Sequence, residues 1–228
     1  MRRIKVFFIF IIILSLFVLS VCEDNTENLL NNKIASEMNY LEDIIFMIVK
    51  KYMANDYLDD VGVLDWTSIK EDFTNINNSS NTLINDFVSK NFSNDDILRF
   101  EELLNSVNLS ISEQNEKNLL VTLANFYSII PEYTERYLGY NAEVTVRNIK
   151  KTNLYSIISC MQGDYNNAEN LCFQAESEYV RLTKNTEYLK NNAYYVNRIY
   201  VVLQEYKISL SAKNLDLSII KYLNTIGI

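Results

Sequence analysis

The scarcity of helix-breaking residues is the strongest constraint on what this chain can fold into. Its 228 residues include one proline and four glycines. Sandwiches and barrels need many tight turns, and glycine and proline supply most of the backbone angles that such turns require. We therefore expect long helices joined by short connections.

Apolar residues recur at steps of three and four, the period of an amphipathic helix. The first stripe comprises Leu30, Ile34, Met38, Leu41, Ile45, Ile48 and Tyr52, and predicts a long helix that ends between residues 55 and 60. Short helices are predicted near residues 66–73, 83–88 and 97–107, and another begins at Ser110 or Ser112 and runs to about residue 130. Longer helices are predicted near 141–162, 165–184, 187–211 and 215–226. The fold class is thus all-α, with about eight helices.

Local signals place some of the helix ends. Asp65 is expected to cap a helix, and Ser93 with Asp96 three residues later is close to a capping box. The polar stretch 75–81 predicts a break in the chain. Pro131 is expected to end or kink the helix near Ile130, because proline lacks the amide hydrogen that the helix ladder needs.

The N-terminus has the pattern of an export signal. Arg2, Arg3 and Lys5 precede an apolar run at 6–21, as in the charged and apolar regions of a secretory signal peptide. The run is short for a spanning helix, which needs about 20 residues. Residues 1–22 are therefore predicted to be a signal peptide, a lipoprotein signal or a retained N-terminal anchor.

The end of this segment, Leu19-Ser20-Val21-Cys22, resembles the lipobox of bacterial lipoproteins, which implies lipid attachment at Cys22. Val21 departs from the pattern, where Gly, Ala or Ser is usual. An ordinary signal peptidase site, with small residues at Ser20 and Cys22, is the alternative. Each interpretation places the body outside the cytoplasm, either anchored in the cell-envelope membrane or secreted.

The body is acidic. Without the three N-terminal cations, 18 Lys and Arg remain against 29 Asp and Glu, a net charge of about −11. Such a chain repels phosphate backbones, so a nucleic-acid partner is not expected. Contact with the membrane is expected through the N-terminal lipid or anchor.

Two cysteines remain in the body, Cys160 and Cys172. An oxidising compartment permits a disulfide between them. The alternative is a pair of small buried thiols, a common state of cysteine inside helical proteins.

The sequence contains no signature of catalysis. It has no histidine, which excludes histidine bases, Ser-His-Asp triads and HExxH zinc sites. The region around Asp59 and Asp60 fails the calcium-loop pattern when Gly62 is placed at its sixth position. Asp95-Asp96 and Glu101-Glu102 are interpreted as helix caps and solvated surface. We predict no catalytic residue, no cofactor and no metal site.

Tyrosines on the last long helices suggest one alternative function, since aromatic rings can form a carbohydrate platform. They are Tyr179, Tyr188, Tyr194, Tyr195, Tyr200 and Tyr206. Their helical spacing favours a role in helix packing. An envelope hydrolase or carbohydrate-binding component that uses carboxylates and tyrosines is the alternative that they leave open.

Residues 155–179, YSIISCMQGDYNNAENLCFQAESEY, form the one segment with a recognisable local pattern. Gly163 ends one helix and Asp164 caps the next, while small residues on both helices allow close approach. The segment resembles a tetratricopeptide-repeat hairpin over about residues 150–184, and the matching positions are Ser156, Gly163, Asp164, Tyr165, Ala168 and Ala175. Cys172 and Val180 depart from the family pattern, and no second copy follows at a spacing of 34.

The resemblance implies antiparallel hairpins stacked in the C-terminal half, as in a tetratricopeptide-like array or an irregular bundle. The predicted organisation is a signal at 1–22, a helical region at 23–139 and a hairpin region at 140–228. We expect an exported, non-catalytic protein, lipid-anchored at Cys22, that binds a protein or peptide partner.

Overall fold

A computed structural model describes the backbone of residues 2–57 and 64–227 and the side chains of residues 27–54 and 64–227. Within these ranges the chain forms eight α-helices and one π-helical turn, and no strand. The helices are α1 (Arg2–Tyr57), α2 (Trp66–Ser89), α3 (Asn94–Ser112), α4 (Glu116–Tyr133), α5 (Ala142–Met161), α6 (Tyr165–Thr183), α7 (Thr186–Ser211) and α8 (Leu215–Ile226). The all-α prediction is confirmed.

The predicted stripe of α1 is the centre of the core. Ile34, Leu41, Ile45 and Ile48 are completely buried, and α1 packs against α2, α4 and α8. The same cluster of buried apolar side chains extends to Tyr222 and other residues of α8, so it draws on helices from both ends of the chain. Burial of a continuous stripe at helical spacing is the source of this arrangement.

The predicted break at residues 75–81 is wrong, because α2 continues through it. Ile76 and Leu83 are fully buried on the face that meets α1, and Ser79 hydrogen-bonds to Glu37 of α1. Asparagine is only a modest helix former, but burial of neighbouring residues overrides such weak local preferences. The caps predicted at Asp65 and Ser93 are both confirmed.

Pro131 lies inside α4, which continues to Tyr133 and then widens into the π-helical turn Thr134–Leu138. The Thr134 hydroxyl donates to the Ile130 carbonyl over 2.7 Å. Proline removes one donor from the ladder, and π-helical turns are commonly found where a helix is locally perturbed. The chain turns away only at Gly139, which has a φ of +85°.

The C-terminal half consists of two antiparallel hairpins that pack on one another. The hairpin α5–α6 meets the hairpin α7–α8 through contacts of α6 with α7 and of α5 with α8. A second apolar cluster fills the space between α5, α6 and α7 and includes Ile149, Ala175 and Ile199. The predicted stacking of hairpins in this half of the protein is confirmed.

Three of the connections share one turn. The helix ends before a residue with positive φ, which is Gln114 (φ 52°), Gly163 (φ 82°) or Lys213 (φ 50°). The next residue, Asn115, Asp164 or Asn214, accepts a hydrogen bond from an amide of the following helix. These turns recur at 114, 163 and 213, intervals of 49 and 50 residues. The hairpins α3–α4, α5–α6 and α7–α8 are therefore joined by the same type of turn.

Candidate functional site

The six residues predicted to shape the hairpin all lie where α5 meets α6: Ser156, Gly163, Asp164, Tyr165, Ala168 and Ala175. Asp164 caps α6 by accepting from the Asn167 amide over 3.0 Å. Ala168 and Ala175 are completely buried. The small side chains thus occupy the interior of the hairpin, as the sequence suggested.

A chain of hydrogen bonds joins three helices at the same point. Tyr206 of α7 donates to the Ser156 hydroxyl over 2.9 Å, and Ser156 of α5 donates to the Ala168 carbonyl of α6 over 2.7 Å. All three residues are completely buried. Burial also raises the pKa of Tyr206 well above its ordinary value. This hairpin contact is therefore an interior packing site.

Cys160 and Cys172 are both buried, free thiols. The Cys160 thiol lies beside the Tyr165 side chain, and Cys172 follows Tyr165 by seven residues on α6. Seven residues of helix span about 10 Å, whereas a disulfide requires Cα atoms within about 7 Å. In this structure the second alternative, two buried thiols, describes them, and burial raises the pKa of Cys172 to about 12.

The best candidate for a binding site is a polar groove with α5 as its floor. The helices α4 and α6 both pack against α5, and residues from α4, the π-helical turn, α5 and α6 line a cavity of about 420 Å³. The lining side chains are Ser128, Glu132, Glu135, Asn148, Lys151, Thr152, Gln174 and Glu178. Every one of them is polar, so the groove is suited to a ligand that offers hydrogen bonds and charges.

Charges in the groove are arranged around Lys151. Burial lowers the pKa of Lys151, and the charges of Glu178, Glu132 and Glu135 partly oppose this effect. Arg99 binds both carboxylate oxygens of Glu132 at 2.9 Å, and Arg181 likewise binds Glu178 at 3.0 and 3.1 Å. Among the residues that the structure describes, Lys151 and Glu135 have no ion-pair partner.

The floor of the groove is fixed from behind by a buried ionic network. Arg147 of α5, only 3% exposed, donates through Nε to Glu42 of α1 over 3.1 Å and through a terminal nitrogen to Thr134 over 2.8 Å. Lys150 donates to the other oxygen of Glu42 over 2.7 Å. A second terminal nitrogen of Arg147 donates to Asn39. Satisfied hydrogen bonds at such a buried pair hold α1, α5 and the π-helical turn in one geometry.

A smaller cavity of about 120 Å³ lies beside this network, between α1, α5 and α7. Tyr188 and Tyr195 form its α7 side, and Glu143 lies at its mouth. Between the two tyrosines α7 is kinked at Asn192 (φ −129°, ψ 25°), whose side-chain amide donates to the Tyr188 carbonyl over 3.1 Å. An amide side chain that competes for the i−4 carbonyl is a known cause of helix bending.

The tyrosines considered as a carbohydrate platform do not share one surface. Tyr206 is in the core, Tyr188 and Tyr195 line the small cavity, and Tyr194 is 85% exposed. The rings of Tyr179 and Tyr200 contact each other with centroids 5.6 Å apart. Helix packing accounts for most of the set, which agrees with the spacing argument from the sequence.

The residues of the acidic pairs differ in burial and in hydrogen bonding. Asp96 is buried, accepts from Ser93, Arg136 and Tyr137, and joins the start of α3 to the π-helical turn. Asp95, Glu101 and Glu102 are exposed, as expected for solvated surface. Asp59 and Asp60 lie outside the described residues. No group of side chains in the described part of the chain is arranged to hold a metal ion.

Cys22 and the rest of the proposed lipobox lie outside the range in which side chains are described. Within that range, none of the helices has the length and apolar character needed to cross a membrane.

The sequence did not single out the groove or the ionic network behind it. One signal was available for the network: Glu42 lies four residues after Met38 and three before Ile45, beside the predicted apolar stripe. A charge at such a position calls for a buried partner. Nothing in the sequence identifies Arg147 as that partner, since 105 residues separate the two.

Comparison of the chain with protein-family models, curated proteins and solved structures finds no match. Its function is therefore inferred from the geometry of the groove and from the sequence of its N-terminus.

Proposed function

We propose that this chain is an exported, non-catalytic helical protein, anchored at the cell-envelope membrane through its N-terminus, which binds a protein or peptide partner. The observation that carries the proposal is the polar groove floored by α5. Its size of about 420 Å³ suits a short stretch of extended peptide.

The groove offers complementary groups for a peptide. Lys151 can donate to main-chain carbonyls or to an acidic side chain, and Glu135 can accept from a basic one. Neither has to break an ion pair first, because neither has an ion-pair partner in the described part of the chain. A ligand carboxylate or carbonyl beside the half-buried Lys151 ammonium would also offset the cost of its burial.

The structure supports a preorganised site. Arg147 and Glu42 fix α5 to α1, while the Ser156 contacts fix α5 to α6 and α7. A groove with a rigid floor loses less conformational entropy when a ligand binds. Binding is thus expected to depend on groove side chains, with little change in the backbone.

Membrane attachment is supported by the sequence alone. The N-terminal cations, the apolar run and the match of Leu19, Ser20 and Cys22 to a lipobox favour lipidation at Cys22. We expect metabolic labelling with a palmitate analogue to mark the wild-type protein and to leave Cys22→Ser unmarked. Labelling of both or of neither would rule out lipidation at Cys22.

Capture from an envelope extract tests the binding function. Purified wild-type protein and Lys151→Glu are compared by quantitative mass spectrometry, with Lys70→Glu as a control that makes the same charge change on the exposed side of α2. We expect a partner that the wild type and the control enrich and that Lys151→Glu loses. Equal enrichment by all three, at equal melting temperatures, would refute a role for the groove.

A further inference from the structure

The outer face of α3 is a second surface with the properties of an interaction site. Its outward row follows the alternating steps of three and four that place side chains along a coiled-coil seam: Asp95, Leu98, Glu102, Asn105, Leu109 and Ser112. Leu98 is 54% exposed and Leu109 is 56% exposed. From Asp95 to Ser112 this row covers about 25 Å of helix.

The packing of α3 leaves this row free. Within the described residues, α3 packs on α2 and α4 through buried residues that include Phe100, Leu104 and Val107, and its first turn meets the π-helical turn through Asp96. The two exposed leucines point away from these neighbours, because they lie on the opposite side of the helix from the buried positions. The outward row is therefore available to a partner helix.

The charge around the row is strongly one-sided. Residues 23–139 contain 8 Lys and Arg against 21 Asp and Glu, whereas residues 140–228 contain 10 against 8. On α3 the only cation is Arg99, which is bound to Glu132. In the described part of the chain, Asp95, Glu101 and Glu102 have no ion-pair partner. The row is therefore two leucines set among uncompensated carboxylates.

We propose that the outer face of α3 binds a basic amphipathic helix of a partner protein. Two apolar residues of that helix, spaced to meet Leu98 and Leu109, would cover the leucines. Lysine or arginine at the other seam positions would face Asp95 and Glu102. Charge complementarity selects this occupant, since the same face of a second copy would set carboxylate against carboxylate, and an anionic lipid surface would be repelled.

This inference rests on the proposed function, binding of a protein partner, but uses a surface made by a different helix from the groove floor. The two surfaces can thus be separated by mutation. Lys151→Glu alters the groove and leaves α3 unchanged, while Glu102→Lys does the reverse.

A synthetic peptide tests the proposal directly. The probe is a fluorescein-labelled helix of about 18 residues, matched to the length of the row at 1.5 Å per residue, with leucine at two seam positions eleven residues apart and lysine at the others. Its binding to the full-length protein in detergent is followed by anisotropy at low and high salt. We expect saturable binding that weakens with salt, and at least about fivefold weaker binding to Glu102→Lys and to Leu98→Gln/Leu109→Gln.

Two controls make the result decisive. Glu71→Lys introduces the same charge change at an exposed position on α2 and should weaken binding less than about twofold. A scrambled peptide of equal composition keeps the charge and loses the seam, and should bind at least about fivefold more weakly. If Glu71→Lys and Glu102→Lys weaken binding equally, or the scrambled peptide binds as well, the attraction is general and the proposal is overturned. Lys151→Glu should bind the probe like the wild type, whatever the result of the capture experiment.

Discussion

Replacing Asn153 with leucine should stabilise this protein. Asn153 is in α5, one turn after Ile149 and close to Ser156, and is completely buried. Neither its amide nitrogen nor its amide oxygen has a hydrogen-bond partner in the described part of the chain. Leucine has the same number of side-chain heavy atoms and the same branching, so it can occupy the space with little repacking.

The expected gain in stability comes from removing a buried amide that has no hydrogen-bond partner. A buried polar group without a partner costs about 1–3 kcal/mol, and part of this gain is offset because the two leucine methyl groups are larger than the amide oxygen and nitrogen that they replace. Leucine is also the better helix former by a few tenths of a kcal/mol. We expect a net gain of about 1–2 kcal/mol, which in a protein of this size raises the melting temperature by about 2–8 °C.

Urea denaturation followed by circular dichroism measures this effect, with Asn125→Leu as the matched control. Asn125 accepts a hydrogen bond from the Tyr155 hydroxyl over 3.0 Å. The control therefore has the same gain in helix preference but loses a partner, and should destabilise by about 1 kcal/mol. If Asn153→Leu destabilises as much as Asn125→Leu, the Asn153 amide is satisfied in solution and the reasoning fails.

Four further tests, each with its own variants, probe other parts of the fold by the same denaturation assay. Ala168→Leu should cost about 1–3 kcal/mol by overpacking the hairpin, whereas the exposed Asn166→Ala should change stability by about 0.5 kcal/mol or less; equal effects would contradict close packing at Ala168. Arg147→Met should cost about 1.5–3 kcal/mol, because it removes the charged hydrogen bond to Glu42 while Lys150 still pairs with that carboxylate. Glu42→Leu/Arg147→Met also leaves the buried Lys150 without its partner, and should cost more than the single change. Burial raises the pKa of Asp96, but hydrogen bonds from Ser93 and Tyr137 and the charge of Arg136 outweigh it, so this pKa lies below its ordinary value. The stability that Asp96 contributes should be complete above its unfolded pKa of about 3.9 and should be lost as the pH falls through its folded pKa. The stability difference between the wild type and Asp96→Asn at pH 7 should therefore become smaller in acid. Lys213→Gly should stabilise by about 0.5–1 kcal/mol, because Lys213 has a positive φ that only glycine adopts without strain, and Lys184→Gly, at a residue in the right-handed region, should not.

Predictions from the sequence are most accurate where the burial of one face of a single helix determines the local structure. The stripe from Ile34 to Ile48 is buried because its spacing alone puts those residues on one side of α1. The caps at Asp65 and Ser93 are equally local, since a side chain and an amide three residues later make the bond. Such features need no knowledge of which helices become neighbours.

Features that depend on distant partners could not be predicted in the same way. The helix α2 continues through an asparagine-rich stretch because Ile76 and Leu83 are buried against α1. The groove is formed by three helices and the π-helical turn, and its lining residues are polar side chains with no distinctive pattern in the sequence. Its geometry follows from how α4 and α6 pack on α5, and buried residues outside the groove determine that packing.

The similarity of the three turns is not visible in the sequence. A residue with positive φ is present at each turn, but glycine provides it only at Gly163, so residue identity conceals the similarity. In the first two turns the cap residue's amide donates to a serine carbonyl five residues earlier, Asn115 to Ser110 over 2.8 Å and Asp164 to Ser159 over 2.9 Å.

The three hairpins pack on one another in succession, α4 on α5 and α6 on α7. In arrays of this kind an end unit has only one such neighbour. In the first hairpin α4 also packs on α1 and α3 packs on α2, and the outer row of α3 remains exposed. The packing of α3 on α2 and α4 does not use the row that holds Leu98 and Leu109, so the chemistry of this row is free to serve binding.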